Sequence, residues 1–421
     1  MPAFPATLKL AVIGAGPQGL TLLTHLLQKR PQLRGQFRVF DPSGQWMQRW
    51  REQFAAQEIE HLRSPAVHHP DPHPGALRNF AEGRESELYP PYALPGTQLF
   101  NEHCAAVIQR WQLEDCILPH PVEGLTLSSG RFPFTLHSPA GLVKARRVIL
   151  ATGSGQPHWP DWAVRAQLEH FLSGSDARIA HSSQVDLRQL PSLQGEQILI
   201  IGGGLSSGHL ALGAVRRGAR VTLMTRRNCR EKLFDADPGW LGPKYLKGFA
   251  AETDWYKRWQ MIRDARDGGS FTPEVLTKLR RLSRDGKVQF LEYCQVKQAT
   301  WGDNQWQIEF DELGSNKPEL AGGNAHCTAK RIWLATGSTL DAAQHPLLQS
   351  IQQSHPAELV NGLPVLDQHL RWPGLELFVS GGLAALQLGP AARNLFGGRL
   401  AAERIVPAIA KPSLALPALS P

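Results

Sequence analysis

The sequence predicts an α/β protein made of two Rossmann-like dinucleotide-binding domains, the second inserted in the first. Three observations carry this. A strand–glycine turn–helix pattern occurs twice, as LKLAVIGAGPQGLTLLTHLLQ from Leu8 and as QILIIGGGLSSGHLALGAVRR from Gln197. A second phrase is doubled too, RRVILATGS at 146–154 and KRIWLATGS at 330–338. A last strand–turn–helix unit, Leu375 to Ile405, closes the chain. Continuous apolar runs such as LAVI and ILII suit strands buried on both faces of a parallel sheet.

The elements follow in order. Gly14-Ala15-Gly16-Pro17-Gln18-Gly19 fits G-x-G-x-x-G between a strand and a helix. Gly14 permits the tight turn, Gly16 the approach of a pyrophosphate, and Gly19 close helix–strand packing. Asp41 ends the next strand, FRVFD, and is placed to accept hydrogen bonds from ribose hydroxyls. In Gly44-Gln45-Trp46 the glycine turns the chain and the indole either lies near a flavin or sits in the core. The segment HLRSPAVHHPDPHPG holds Arg63 and four histidines, His61, His68, His69 and His73. Arg63 is a candidate cofactor contact. The prolines deny the histidines a regular ligand spacing, so no metal site is expected, and the stretch lines a flavin or substrate or is a plain loop. Short alternating strands are predicted at 122–127, 132–137 and 141–144, ahead of Thr152-Gly153, which complete the first cofactor site.

The second turn, Gly202-Gly203-Gly204-Leu205-Ser206-Ser207, carries Ser207 in place of the third glycine. The next strand, VTLMTRR, puts Arg226 and Arg227 where an NAD-preferring site carries an acid. Arginines there can pair with a 2′-phosphate, which predicts NADPH over NADH; the alternative is a pair of solvated charges. The aromatic-rich stretch 231–270 interrupts this domain and reads as a lid or substrate region, or as a helical packing module. Strands are expected at 288–293, 306–311 and 325–329. Gly381 and Gly382 form the last turn, and the Pro- and Ala-rich tail after Ile405 is expected to be loose. The domains are thus predicted as 1–190 with 339–421 for the first nucleotide and 191–338 for the second.

Composition narrows the classes. The chain has 421 residues, 42% hydrophobic and 19% charged, enough for two or three soluble domains. No apolar run is long enough to cross a membrane, and the N-terminus lacks the order of a signal peptide. Five cysteines with no C-x-x-C pair suggest a reducing, cytoplasmic setting and count against a reductase working through two close thiols. The net charge of +8 comes from scattered Lys and Arg and paired arginines, not long basic runs, so nucleic acid is not expected, and the surplus favours anionic ligands.

Together these motifs resemble the flavin-dependent monooxygenase superfamily, which includes flavin-containing monooxygenases and lysine/ornithine N-hydroxylases. The residues that carry the resemblance are Gly14–Gly19 with Pro17, Asp41, Gly44 and Trp46, Ala151-Thr152-Gly153, Gly202–Ser207, Arg226 and the Gly381 region. The chain departs from it in places. Gly381-Gly382 stands where related reductases have Gly-Asp, and FDADPGWLGPK matches no N-hydroxylase motif. The resemblance implies FAD on the first domain, NADPH on the second, O2 as co-substrate, and N- or S-oxygenation or N-hydroxylation of a small molecule through a flavin C4a-(hydro)peroxide. No catalytic side chain need stand out. Two rivals remain: an NADPH-dependent flavin reductase serving a quinone or protein acceptor, and a non-enzymatic flavin-binding regulatory protein.

Overall fold

The structure is a computed structural model that describes residues 5–153, 155–172, 178–313 and 325–416. Its frame is two five-stranded parallel sheets with the same order. In the first, the strands run Leu377–Val379, Val148–Leu150, Leu10–Ile13, Phe37–Phe40 and Ile117–Leu118. In the second they run Ile179–His181, Arg331–Leu334, Gln197–Ile201, Arg220–Thr225 and Val288–Glu292. Glycine-turn strand, next strand and Ala-Thr-Gly strand hold matching stations in both. The outer neighbour of the Ala-Thr-Gly strand comes from the end of the chain in the first sheet. In the second it comes from Ile179–His181, upstream of the expected boundary at residue 190/191.

Each sheet carries an antiparallel meander. Gly124–Leu127, Phe134–Ser138 and Gly141–Ala145 form the first, extended by Thr7–Leu8. Cys294–Gly302, Gln305–Glu312 and Ala325–Ala329 form the second. The run 288–293, expected beside this meander, instead supplies the edge of the parallel sheet. Leu223 pairs with Phe290, and the burial of Val288 ties the strand to the core. The meander begins only after Tyr293, which sits at φ +57° between the two strands.

The helix Pro17–Lys29 begins with Pro at its first position, where no intrahelical N–H is lost. Its buried face, Leu20, Leu22, Leu23, Leu26 and Leu27, packs between the first sheet and the helix Leu395–Ala410. That last helix runs through Pro407 to Ala410, so among the described residues the chain does not loosen directly after Ile405. Ile405, Val406, Ala408 and Ile409 are buried, and Arg371 donates to the Leu414 carbonyl at 2.8 Å. Burial of these side chains outweighs the amide that Pro407 cannot donate.

The stretch 231–270 is a helical module, Pro243–Ala251 and Trp255–Arg266, that leaves the second sheet and packs on the first unit. Trp240, Phe249 and Ile262 join the first unit's core. Arg258 is buried against the faces of Trp255 and Phe249, 4.5 and 5.3 Å from the ring centroids. It donates to the carbonyls of Glu252, Ala250 and Leu386 at 2.7–3.0 Å. A second tie joins the units where Arg216 and Arg217 both pair with Glu58, Arg217 at 2.6 Å.

Candidate active site

The two glycine turns are built alike. Gly14 sits at φ +107°, and a methyl group there would lie 2.4 Å from the Ala151 carbonyl oxygen. Gly202 sits at φ +142°, and the same group would lie 2.3 Å from the Ala335 oxygen. The Ala-Thr-Gly phrase is therefore doubled because each copy buttresses a glycine turn. A methyl on Gly19 would meet the Gly14 oxygen at 2.4 Å. Ser207 replaces that glycine without penalty: it is fully buried and its hydroxyl donates to the Gly204 carbonyl at 2.6 Å.

Gly16 has no such neighbour, and a methyl there would meet nothing within 4 Å. It caps the helix Pro17–Lys29 in an extended conformation with no side-chain partner on the first-turn amides. A helix N-terminus with free N–H groups and an open face fits a pyrophosphate. Asp41 lies alongside, its Oδ2 accepting the Ala15 amide at 3.0 Å and its Oδ1 the Ser43 amide at 3.0 Å and hydroxyl at 2.6 Å. The remaining lone pairs are those a ribose would use. These residues fit FAD.

Around this cradle the other expected residues fall unevenly. Thr152 Oγ1 lies 3.1 Å from His345 Nε2, and Gly153 turns at φ +96°. Burial holds His345 below its ordinary pKa. Gly381 follows the last sheet strand at φ +78°, and a side chain on Gly382 would strike Leu340. Gly44 turns at φ +66° against Pro119. Trp46 is buried, and its indole N–H donates to the Leu113 carbonyl at 2.8 Å, so the ring is spent on the core. Ser154 lies outside the described residues.

Arg63 is engaged elsewhere than the cofactor cradle. Its guanidinium donates to the carbonyls of Lys232 and Leu233 at 2.6 and 2.8 Å, to Asp235 at 2.9 Å and to the Ser270 hydroxyl at 2.8 Å. It fastens the histidine segment to the root of the 231–270 module. Burial would raise the Asp235 pKa, but Arg266, Arg63 and Arg393 outweigh it and hold the carboxyl below its usual range. Among the described residues, no group of three or more His, Cys, Asp or Glu is arranged for a metal.

In the first unit Gly14 N donates to Phe40 O at 2.9 Å, and in the second Gly202 N donates to Met224 O at 3.0 Å in the matching place. This sets Thr225, not an arginine, at the station of Asp41. Arg226 and Arg227 stand one and two residues further on. Thr225 carries no charge, so the station that Asp41 fills in the first unit holds no acid in the second. Arg226 is exposed. Arg227 reaches Asp267 and the Gly269 carbonyl, each at 3.1 Å.

Sequence reasoning passed over Gln18. It is buried, donates to the Asn394 carbonyl at 2.9 Å and accepts from the Ser380 hydroxyl at 2.9 Å. It thus locks the first glycine turn to the last one. Glutamine at a variable position of the motif gives no signal of this.

Comparison with known proteins agrees with the geometry. Residues 11–155 match a family model described as FAD-NAD(P)-binding, and residues 93–266 one described as pyridine nucleotide-disulphide oxidoreductase. An L-lysine N6-monooxygenase of Escherichia coli is 30% identical over 150 residues, 34% of this chain, and the match spans about a third of that protein's length (33%). The ornithine hydroxylase of Pseudomonas aeruginosa shares the fold at a TM-score of 0.75 and 17% identity, over 96% of this chain and 99% of the other. The ornithine N-hydroxylase of Kutzneria sp. 744, solved with reduced FAD, NADP+ and L-ornithine, gives 0.75 and 16% over 96% and 99%. No helix among the described residues is long and apolar enough to cross a membrane.

Proposed function

We propose that this chain, by fold and family model an FAD- and NAD(P)-binding oxidoreductase, is an NADPH-consuming flavin monooxygenase that oxygenates a small molecule at nitrogen. The observation that carries the reading is the pair of matched glycine turns, one open for a pyrophosphate and one followed by arginines. FAD, when bound, would supply the oxygen-activating chemistry. The residues of this chain bind and orient. Gly14, Gly16, Pro17 and Gly19 cradle the flavin pyrophosphate, Asp41 the ribose, and Thr152, Gly153, Gly381 and Gly382 the rest of the dinucleotide. Gly202, Gly204 and Ser207 take the coenzyme pyrophosphate, and Arg226 and Arg227 its 2′-phosphate. The second unit is nested in the first, which directs both nucleotides toward one cleft.

The lysine and ornithine hydroxylases that share this fold favour an amine as the oxygenated group. The cysteines weigh against thiol-based reduction. All five are free, and burial pushes each thiol up, Cys116 and Cys229 to about 12 and Cys327 to about 11. Protonated thiols of this kind are poor nucleophiles, and five unpaired cysteines fit the cytoplasm. The test is NADPH consumption by the purified protein, with and without O2, in the presence of lysine, ornithine or a diamine. Hydroxylamine product in step with NADPH oxidation supports the reading. Equal turnover in anaerobic buffer with a quinone, and no oxygenated product, would favour the flavin reductase instead.

A further inference from the structure

The two glycine turns differ in what faces their second glycine. Gly16 faces open space, whereas Gly204, its counterpart, is faced by Gly269. A methyl on Gly269 would lie 2.7 Å from Gly204 Cα, 2.8 Å from its amide nitrogen and 2.9 Å from the Gly203 oxygen. Only glycine fits there. The backbone of Gly268–Ser270 therefore crosses the second turn at the place a pyrophosphate approaches.

Cations hold that strap down. Arg227 donates to the Gly269 carbonyl and to Asp267 Oδ1, both at 3.1 Å. Arg230 pairs with Asp267 Oδ2, and Lys232 lies 3.9 Å from the same oxygen. Asp267, at φ +41°, ends the helix Trp255–Arg266, with its amide donating to the Arg263 carbonyl at 2.8 Å. The strap's far end is Ser270, whose hydroxyl and carbonyl accept from Arg63.

We propose that Asp267 is a built-in competitor of the coenzyme 2′-phosphate for Arg227 and its neighbours, and that capture of Arg227, which also holds the Gly269 carbonyl, frees Gly268–Ser270 from Gly204. The proposal rests on NADPH binding to the second unit. A phosphate monoester carries about −1.5 to −2 charges and three acceptor oxygens, against one charge on a carboxylate, so it wins the shared cations. NADH offers no such group and leaves the strap in place. Asp267 thus opposes only the ligand that needs those cations: a 2′-phosphate must displace it, whereas NADH, which makes no such contact, is indifferent to it. Because Ser270 ends on Arg63, release of the strap also loosens the hold on the segment beginning at His61.

The experiment is calorimetric titration of the FAD-loaded protein with NADP+ and NAD+, for wild type, Asp267→Asn, Arg227→Gln and the double variant. Asparagine tolerates the left-handed backbone, so the helix end is kept. Asp267→Asn should tighten NADP+ about threefold or more, the scale of a part-exposed ion pair, and leave NAD+ within about twofold. The gain should vanish when Arg227 is also replaced. In hydrogen exchange, NADP+ should speed the amides of 268–271, and NAD+ should not. Unchanged or weaker NADP+ binding in Asp267→Asn, equal tightening of both coenzymes, or slower exchange at 268–271 with NADP+ would each overturn the proposal. A wild type that prefers NAD+ would remove the coenzyme reading as well. A wild type that prefers NADP+ with Asp267→Asn unmoved would sink this inference alone.

Discussion

Asp41 accepts the Ala15 amide at 3.0 Å, which makes the acid at the end of one strand and the glycine turn at the end of its neighbour a single piece. A ligand meets a preformed edge of carboxylate and free amides, with little left to organise on binding.

The glycines of that edge should fail for different reasons. Gly16→Val should fold normally, since the position is open, yet lose FAD because the side chain fills the space a pyrophosphate needs. Gly14→Ala should cost more than about 1 kcal/mol of stability, through the positive φ and the Ala151 oxygen. Flavin absorbance and thermal melts of the two variants separate the cases. A yellow Gly16→Val protein would refute the placement of FAD.

Replacing Arg226 and Arg227 together with glutamine should weaken NADPH reduction of the flavin by roughly tenfold or more, after allowance for screening at an exposed site. NADH reduction should change much less. Stopped-flow reduction with each coenzyme is the measurement, and an unaltered NADPH/NADH ratio would show the arginines to be surface charges.

Arg63 and Asp235 should be strongly coupled. Arg63→Gln leaves a carboxylate with fewer partners and three backbone acceptors unmet, so a loss of about 2 kcal/mol is expected. A double-mutant cycle with Asp235→Asn should return a coupling of about 1 kcal/mol or more. Strictly additive melts would mean the contact contributes nothing.

Stability should fall with acid. Burial, the largest cause in each case, lowers His25, His68 and His69 to about 4 and His103 to about 3. The folded protein keeps them neutral while the unfolded chain takes up protons near pH 6.5, so unfolding is favoured as pH drops from about 6.5 toward 4. Both ring nitrogens of His103 are buried with no hydrogen-bond partner among the described residues. His103→Phe should therefore flatten the dependence of the melting temperature on pH over that window. A wild-type melting temperature constant from pH 7 to 4.5 would contradict the argument.

The parts legible in the sequence were those set by local necessity. Gly14 and Gly202 announce themselves because backbone stands within 2.5 Å of where a side chain would be, and the apolar strands because both faces are covered. What depended on register or distant partners was not legible. Thr225 at the acid's station is visible only from the Gly202–Met224 hydrogen bond. Arg63 reads as a cofactor ligand until the chain near 232–235, about 170 residues later, arrives to occupy it. Residues 288–293 show the alternation of a meander strand, and only the sheet's need for an edge partner places them elsewhere. Pro407 suggests a broken helix, which the packing around Ile405 and Ile409 overrides.

The bridge made by residues 231–270 bears on any attempt to dissect the molecule. Expressing 191–338 alone would strand Trp240, Phe249 and Ile262 in water, and the remaining halves, ligated together, would show a matching greasy scar. Both fragments should precipitate. Shuffling coenzyme modules between relatives by swapping this region wholesale would then transplant a mismatched plug, so exchange is better confined to the short stretch from Arg226 to Arg230.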